Sequence, residues 1–213
     1  MSNLHLDAIG KTYGGKTIFN GVTIHVPIGL TLLTGPSGAG KSTLLRILAT
    51  AEKPSRGKLS WKNTPLPAAR RQLRRTLGYA PQAVDLPDDL TAREFAMHMA
   101  ALKGLDLTAA DAQFGAITSA INLHGDINQR IATFSGGMRR RLVFAQALLG
   151  EPELIILDEP TAELDDQTSG LLEALIVERA AKASVVMTTH ASDQLTAHAA
   201  ASWRVEGGQV TPT

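Results

Sequence analysis

Cysteine is absent from the 213-residue sequence, and its absence excludes disulfide bonds, thiolate metal sites and cysteine nucleophiles. Long apolar runs are absent as well: the longest, such as residues 154–157, fall far short of the roughly 20 apolar residues that a membrane-spanning helix needs. Residues 1–10 have neither a basic start nor a long apolar stretch, so we expect no signal peptide. If the protein serves a membrane process, we expect another chain to supply the membrane-spanning part.

Neither sign of charge is in excess. Lysine and arginine number 21 against 20 aspartates and glutamates, so we expect no dominant electrostatic attraction to nucleic acid or anionic lipid. A hydrophobic fraction of 44% and a charged fraction of 19% indicate a globular domain with a buried core. We interpret two local arginine clusters as solvated surface, with docking to a partner or to acidic lipid as the alternative. They are Arg70, Arg71, Arg74 and Arg75, and Arg139, Arg140 and Arg141.

What the sequence does contain is an alternation of strand and helix patterns, without an internal repeat or an interdomain linker. Val22, Ile24 and Val26 alternate with polar residues, which is typical of a half-buried strand. Further patterns predict strands at 30–34, 57–62, 154–158 and 184–188, helices at 41–50 and 166–180, and a terminal hairpin around 207–208. This order predicts an α/β fold with a mostly parallel sheet and an antiparallel β layer beside it.

The pattern becomes helical from about residue 86 to residue 150. Thr91 and Glu94 form a T-x-x-E capping box ahead of an apolar-periodic stretch. Another helix is expected from about 108 to 123, and Ser135 is a good N-cap for one that ends near Leu149, before Gly150. We therefore predict one domain over residues 1–213, with a helical subdomain inserted at about 84–150.

A glycine-rich loop between a predicted strand and a predicted helix matches G-x-x-x-x-G-K-[ST]. Its backbone N–H groups and the following helix N-terminus suit phosphate oxygens. Lys41 would bring a cation to the β- and γ-phosphates, and Ser42 a hydroxyl to Mg²⁺. The strand–loop–helix context disfavours the alternative, a flexible turn with a solvated lysine. We predict a P-loop NTPase core that binds Mg-ATP through Gly35, Pro36, Ser37, Gly38, Ala39, Gly40, Lys41, Ser42 and Thr43.

An acidic pair, Asp158 and Glu159, follows the apolar run 154–157. A run this continuous is typical of a central strand covered on both faces, and ligands gather at the carboxyl ends of such strands. Asp158 would face Mg²⁺ without binding it directly, from behind the ligands of the ion. Glu159 would polarise the attacking water. The alternative is an ordinary strand exit into solvent.

The segment Phe134-Ser135-Gly136-Gly137-Met138, just ahead of the acidic strand, resembles the signature of the ABC (ATP-binding cassette) ATPase family, usually L-S-G-G-Q. The resemblance covers essentially the whole chain. It implies that Ser135, Gly136 and Gly137 form a second phosphate cradle at a helix N-terminus, facing the γ-phosphate of nucleotide held by a second subunit. Two ATP molecules would then be sandwiched in a head-to-tail pair.

Four more positions carry over from the family residue by residue. The resemblance implies that Tyr13 stacks on adenine and that Gln82 senses Mg²⁺ and the water. It implies that His190 donates a hydrogen bond to the γ-phosphate, and that Asp165 lies in a loop crossing to the partner subunit. The corresponding alternatives are a packed surface tyrosine, a solvated amide, a histidine at a strand end and an ordinary loop.

Three positions depart from the family pattern. Phe134 and Met138 replace the usual leucine and glutamine, and we expect little loss because the Ser-Gly-Gly cradle is intact. Glu163 stands in the crossing loop where the family often has a small residue. Its carboxylate would either weaken closure of the pair or form an ion pair with a lysine or arginine.

The stretches 77–105 and 142–161 look like the ATPase subunits of bacterial exporters whose membrane partner is a separate chain. The resemblance implies an ATPase with an integral membrane permease and a second ABC subunit as partners, a homodimer on ATP binding, and a place on the cytoplasmic face of the cell membrane. No nucleic-acid partner is expected. We expect docking at the cleft beside Gln82, lined by parts of residues 86–105, with roles for Arg93 and Glu94. The alternatives are a soluble non-transport ABC ATPase and a nucleotide-binding scaffold without turnover.

Overall fold

The computed structural model describes residues 3–83, 85–189 and 193–213, and within these ranges the chain forms ten strands and seven α-helices. The strands are β1 (Leu4–Tyr13), β2 (Lys16–Val26), β3 (Gly29–Thr34), β4 (Arg56–Trp61), β5 (Thr64–Pro65), β6 (Leu77–Ala80), β7 (Leu154–Asp158), β8 (Ser184–Thr188), β9 (Ala199–Glu206) and β10 (Gln209–Pro212). The helices are α1 (Lys41–Leu48), α2 (Arg70–Arg75), α3 (Ala92–Lys103), α4 (Leu107–Ala120), α5 (Gly136–Ala147), α6 (Asp166–Ala180) and α7 (Asp193–Ala197).

The larger sheet has six strands in the order β10-β9-β3-β8-β7-β6. Strands β9, β3, β8, β7 and β6 run parallel, and β10 pairs antiparallel with β9 at one edge. The segments that follow β3, β6 and β7 therefore all emerge at the same edge, the carboxyl edge where α/β sheets bind ligands. This arrangement confirms the predicted α/β class and brings three of the predicted motifs together.

The smaller sheet, in the order β2-β1-β4-β5, is antiparallel throughout. Val22, Ile24 and Val26 on β2 are buried and the residues between them are exposed, which confirms the predicted half-buried strand. Gly14 and Gly15 join β1 to β2 with φ angles of 49° and 86°, a left-handed region that glycine enters without steric cost. The predicted antiparallel layer is confirmed as well.

Strand β7 is buried on both faces, as its uninterrupted apolar sequence predicts. Ile155 and Leu157 pack into the core shared with α3, α4, α5 and α6. Leu154 and Ile156 pack on the opposite side, into the core shared with α1 and the antiparallel sheet. Covering both faces fixes the position of the strand, and with it the acidic residues at its end.

The helices agree with the sequence-based expectations except at some ends. Helix α6 has the predicted bounds, and both hydrogen bonds of the capping box at Thr91 and Glu94 are present. Helix α1 stops at Leu48, two residues early, because the chain turns left-handed at Thr50, where φ is 54°. Helix α5 stops at Ala147, two residues before its predicted end.

Helix α5 and strand β6 approach each other too closely for a side chain to fit between them. A Cβ atom on Gly78 would lie 2.0 Å from the carbonyl oxygen of Ala147, so only glycine is tolerated there. One residue further along the strand, the carbonyl oxygen of Tyr79 accepts a hydrogen bond of 2.8 Å from Nε2 of the buried Gln146. Backbone proximity and a buried hydrogen bond thus join α5 to the strand that leads to Gln82.

The helices are short on the scale of a bilayer. Helix α6, with 15 residues, is the longest in the described ranges. Across those ranges, none of the helices has the length and apolarity needed to cross a membrane.

Candidate functional site

The glycine-rich loop between β3 and α1 can be built only with glycine at two of its positions. Gly35 and Gly40 have φ angles of 134° and 106°, which other residues rarely adopt. A Cβ atom would lie 2.2 Å from the carbonyl oxygen of Val205 at Gly35, and 2.7 Å from the Ile18 side chain at Gly40. Pro36, Ser37 and Gly38, at the top of the loop, are exposed to solvent. The loop is therefore a rigid, open turn that leads into a helix N-terminus.

Lys41, the first residue of α1, folds its side chain back over this loop. Its ammonium group donates hydrogen bonds to the carbonyl oxygens of Gly35 at 2.7 Å and Pro36 at 3.0 Å. The N-cap, Gly40, offers no side-chain acceptor to the first turn of α1. A cation and the N-terminal amides of the helix therefore meet at one place, an arrangement that suits a phosphate group. Ser42 and Thr43 follow directly in the first turn.

Asp158 ends β7 and is buried, with 5% of its surface exposed. Thr188 lies opposite it in the register of β7 and β8, and the threonine hydroxyl donates a hydrogen bond of 2.6 Å to Oδ1 of Asp158. Burial, together with the nearby Asp158 carboxylate, raises the pKa of the Tyr79 phenol. The carboxylate is thus held in place by the neighbouring strand.

Glu159 follows in a left-handed conformation with φ of 50°. Its amide donates a hydrogen bond of 2.9 Å to the Thr188 hydroxyl, and its carbonyl oxygen accepts one of 2.7 Å from the Arg140 guanidinium. Its side-chain Oε2 accepts a hydrogen bond of 3.0 Å from Nε2 of Gln82, which follows β6. The structure therefore brings Gln82, Asp158 and Glu159 together at the carboxyl edge of the sheet.

The Ser-Gly-Gly segment begins α5, as the sequence predicts. The hydroxyl of Ser135 accepts a hydrogen bond of 3.2 Å from the amide of Met138, which makes Ser135 the N-cap. Ser135 and Gly136 are exposed, and a Cβ atom on Gly136 would meet nothing within 4 Å. A Cβ atom on Gly137 would lie 3.2 Å from the Leu164 side chain. This helix N-terminus is open to solvent and bounded by small residues.

Tyr13 lies at the end of β1 with 40% of its surface exposed. Its hydroxyl donates a hydrogen bond to the Glu52 carboxylate, and the Lys11 ammonium lies 4.6 Å from the centroid of its ring. The ring is therefore held by its hydroxyl while remaining open enough to stack against a flat ligand.

The loop between β7 and α6 contains the two predicted crossing-loop carboxylates. Asp165 caps α6, because its two carboxylate oxygens accept hydrogen bonds from the amide and the hydroxyl of Thr168 at 2.9 and 2.8 Å. The backbone bond and then the side-chain bond from Thr168 lower the pKa of Asp165. Glu163 is left-handed with φ of 64°, and it forms an ion pair of 3.8 Å with Arg140. His190 lies outside the described residues.

Comparison with protein families identifies the family of the chain. The family model described as ABC transporter matches residues 19–162, which is more than half of the chain. The chain belongs to the ABC transporter family. The resemblance deduced from the signature segment is therefore confirmed.

The relatives of this ABC family member include two proteins of known name. It is 32% identical over 192 residues to the Nod factor export ATP-binding protein I of Rhizobium etli, an alignment that covers 89% of this chain and 61% of that protein. Its identity to the protein of the same name from Bradyrhizobium diazoefficiens is 34% over 194 residues, covering 89% of this chain and 63% of that protein. The chain thus spans about three fifths of the length of the curated relatives it matches.

Solved structures in the same family share the whole fold. The ATP-binding subunit of an ABC transporter superposes with a TM-score of 0.91 at 26% identity, covering 100% of this chain and 90% of that one. A dimeric bacterial ABC transporter cassette superposes with a TM-score of 0.86 at 24% identity, covering 97% and 96% of the two chains. The second likeness concerns the fold alone.

The sequence interpretation missed Thr188 and was wrong about two of the three arginines of the second cluster, Arg140 and Arg141. Thr188 ends a predicted strand, and local sequence gives no sign of its bonds to Asp158 and Glu159. Arg140 is only 17% exposed, and Arg141 donates hydrogen bonds to the carbonyl oxygens of Ile121 and Asn122. These two arginines of the ABC cassette are therefore internal connectors and not solvated surface.

Proposed function

We propose that this chain binds and hydrolyses ATP and powers an ABC exporter through ATP-dependent closure of a dimer. The observation that carries this proposal is the meeting, at one edge of the sheet, of the glycine-rich loop with Asp158 and Glu159. The names of the relatives, Nod factor export ATP-binding proteins, support export as the direction.

Residues 35–43 would bind the nucleotide, with their backbone amides donating hydrogen bonds to the phosphates. On binding, Lys41 would exchange its two carbonyl partners for the β- and γ-phosphates. Tyr13 would stack on adenine through its ring face while Glu52 holds its hydroxyl. In this proposal, residues 35–43 bind the triphosphate at one end of the site, and Tyr13 binds the adenine ring at the other.

The donor set fits Mg²⁺. The Ser42 hydroxyl, the Gln82 side-chain carbonyl and the Asp158 carboxylate are all oxygen donors, which this hard cation prefers. Asp158, whose Oδ1 Thr188 holds, would act through a bound water, as the sequence predicts for a residue beyond the direct ligands of Mg²⁺. When bound, Mg²⁺ supplies charge neutralisation at the β- and γ-phosphates.

Hydrolysis needs a water aligned with the γ-phosphorus and a group to orient it. Glu159 would accept a hydrogen bond and then the proton from this water, and Gln82, 3.0 Å from its carboxylate, would help to place it. Lys41 and His190 would stabilise the charge that spreads over the γ-phosphoryl oxygens. Each of these residues keeps the role that the sequence assigned to it.

A second subunit would complete the site. The open helix start at Ser135, Gly136 and Gly137 would face the γ-phosphate bound by the partner, and Asp165 would lie on the loop that crosses to it. The simplest pair is a homodimer.

Coupling to transport needs a membrane partner, which we propose to be a separate integral membrane permease chain. A cleft of about 240 Å³ beside Gln82 is lined by Leu86 and by Arg139 and Val143 of α5, and it extends to Gly136, Asp158 and Glu163. Of the predicted lining residues 86–105, Leu86 alone takes part. We place the permease contact there and, together with α3, in the predicted helical subdomain of residues 84–150. The protein would then lie on the cytoplasmic face of the cell membrane.

The first experiment compares Glu159→Gln with the unmodified chain. We expect phosphate release to fall about 100-fold or more, since the base is lost, and Mg-ATP to shift the variant to a dimer on a sizing column. Glu178→Gln makes the same chemical change at an exposed position on α6 and serves as the matched control. Hydrolysis by Glu159→Gln at the unmodified rate would contradict the assignment of the base.

A second experiment separates transport from the soluble alternatives. The tagged chain is purified from gently solubilised cells, and its partners are identified. We expect a membrane protein. Co-purification of ribosomes or nucleic acid would instead favour a non-transport ABC ATPase, and ATP binding without phosphate release would favour a scaffold.

A further inference from the structure

Glu159 occupies a backbone conformation that needs support. A non-glycine residue with φ of 50° is strained and persists only where its surroundings hold it. The backbone conformation sets the direction of the Cα–Cβ bond from which the side chain starts, and Gln82 holds the carboxylate itself at 3.0 Å. A group that fixes the backbone therefore helps to place the carboxylate.

Two side chains hold this backbone from opposite sides. Thr188 accepts the hydrogen bond from the Glu159 amide at 2.9 Å, and Arg140 donates to the Glu159 carbonyl oxygen at 2.7 Å. Thr188 belongs to the central sheet and is itself fixed by Asp158. Arg140 belongs to α5, so the second support comes from a different layer of the molecule.

Arg140 also reaches the crossing loop. Its Nη1 atom binds the Glu159 carbonyl, and its Nη2 atom lies 3.8 Å from Oε2 of Glu163. The planar guanidinium presents several donors in a fixed geometry, so one side chain serves both contacts. The Glu163 side chain is 79% exposed, so this ion pair adds little stability by itself. The contact to the carbonyl is the part-buried and stronger of the two.

We propose that Arg140 is a positioning residue that sets the Glu159 carboxylate for hydrolysis from the helix carrying Ser135. This inference rests on the proposed ATPase function. Arg140 contacts neither nucleotide nor water in this scheme; it acts through the Glu159 carbonyl. Helix α5, whose start would face the γ-phosphate bound by the second subunit, would thereby also hold Glu159, the general base of its own subunit, in place.

The test measures phosphate release and the KM for ATP in Arg140→Ala, Arg140→Lys and the control Arg71→Ala. We expect Arg140→Ala to lower kcat about 10- to 100-fold, the effect of misplacing a reacting group, with little change in KM. Lysine retains a donor and should restore part of the rate. Arg71 is exposed on α2 and does not contact Glu159, so Arg71→Ala should keep the parent rate.

Two further variants test whether a loss of kcat in Arg140→Ala comes from misfolding or from loss of the ion pair with Glu163. Arg140→Ala combined with Glu159→Gln should still dimerise with Mg-ATP, which shows an intact fold and nucleotide site. Glu163→Gln should lower kcat less than Arg140→Ala does.

Unchanged kcat in Arg140→Ala would overturn the proposal, as would loss of dimerisation in the double variant or an equal loss in Glu163→Gln. An unmodified chain without ATPase activity would instead overturn the proposed function itself, and this inference with it.

Discussion

Thr188 donates a hydrogen bond of 2.6 Å to Asp158 across the pair of strands β7 and β8. The same hydroxyl accepts the amide hydrogen of Glu159 at 2.9 Å. The buried hydroxyl oxygen of Thr188 therefore holds two consecutive acidic residues, Asp158 and Glu159, for which we propose different roles.

The first prediction concerns this hydroxyl. Thr188→Val keeps the shape of the side chain but leaves a buried carboxylate oxygen and an amide without a partner. We expect the free energy of unfolding to fall by about 1–3 kcal/mol, and phosphate release to fall with it. Urea denaturation and an ATPase assay measure the two effects. Thr188→Ser keeps the hydroxyl and should retain most of both; equal losses in the two variants would show that the methyl group matters instead.

The second prediction separates folding from assembly at the start of α5. A Cβ atom on Gly136 would meet nothing in this chain, so Gly136→Ala should leave the free energy of unfolding unchanged or about 0.5 kcal/mol higher. The added methyl group would occupy the place of the partner's phosphate. We expect Mg-ATP to dimerise Gly136→Ala/Glu159→Gln far less than Glu159→Gln alone. Full dimerisation would mean that this surface is not the second phosphate cradle.

The third prediction follows from a half-buried lysine at the end of α3. Burial lowers the pKa of the Lys103 ammonium from 10.5 to about 8, and this group donates to the Leu149 carbonyl at 2.9 Å. Between about pH 8 and 10.5 the unfolded chain binds this proton and the folded chain does not. The contribution of Lys103 to the free energy of unfolding therefore rises with pH across that window, by at most about 3 kcal/mol.

The measurement is urea denaturation at several pH values from 7 to 10. Lys103→Met should lose this rise relative to the parent, while Lys58→Met, a change at an exposed lysine, should keep it. Parallel curves for the parent and Lys103→Met would show that Lys103 titrates alike in both states.

The fourth prediction concerns the proposed permease contact. Reversing charge at Arg93 would also break its two hydrogen bonds to Asp111, and changing Glu94 would break the capping box. Lost coupling could then reflect damage to α3. The exchange Arg93→Asp/Asp111→Arg moves the charge while keeping the pair. We expect it to unfold like the parent and to lose co-purification with membrane protein; retained co-purification would place the docking surface elsewhere.

Features encoded within a few neighbouring residues were predictable from sequence. The loop 35–42, the capping box at Thr91 and the N-cap at Ser135 each require particular residue types at fixed spacing, and the structure has all three. The bounds of α6 and β8 followed from clean breaks in periodicity. The exact end of α1 did not, since it depends on a left-handed turn at Thr50, a residue with no preference for that conformation.

Features that depend on which elements become neighbours were not predictable. A helix turning about 100° per residue spreads Arg139, Arg140 and Arg141 around its circumference, and sequence periodicity does not say how many sides are covered. Helix α5 is covered on more than one side, so Arg140 and Arg141 are drawn inward to backbone carbonyls while Arg139 stays at the surface.

The contact at Gly78 has a mechanical consequence. At Gly78 the strand and the helix touch with no side chain between them. Because such a contact leaves no room for the two to move independently, a displacement of one is passed directly to the other. The start of α5 at Gly136 and the segment after β6 at Gln82 line the same cleft. In the proposed assembly, a permease that moves the residues beside Gln82 would therefore move the start of α5 with them, and closure at the nucleotide would displace the permease side in return.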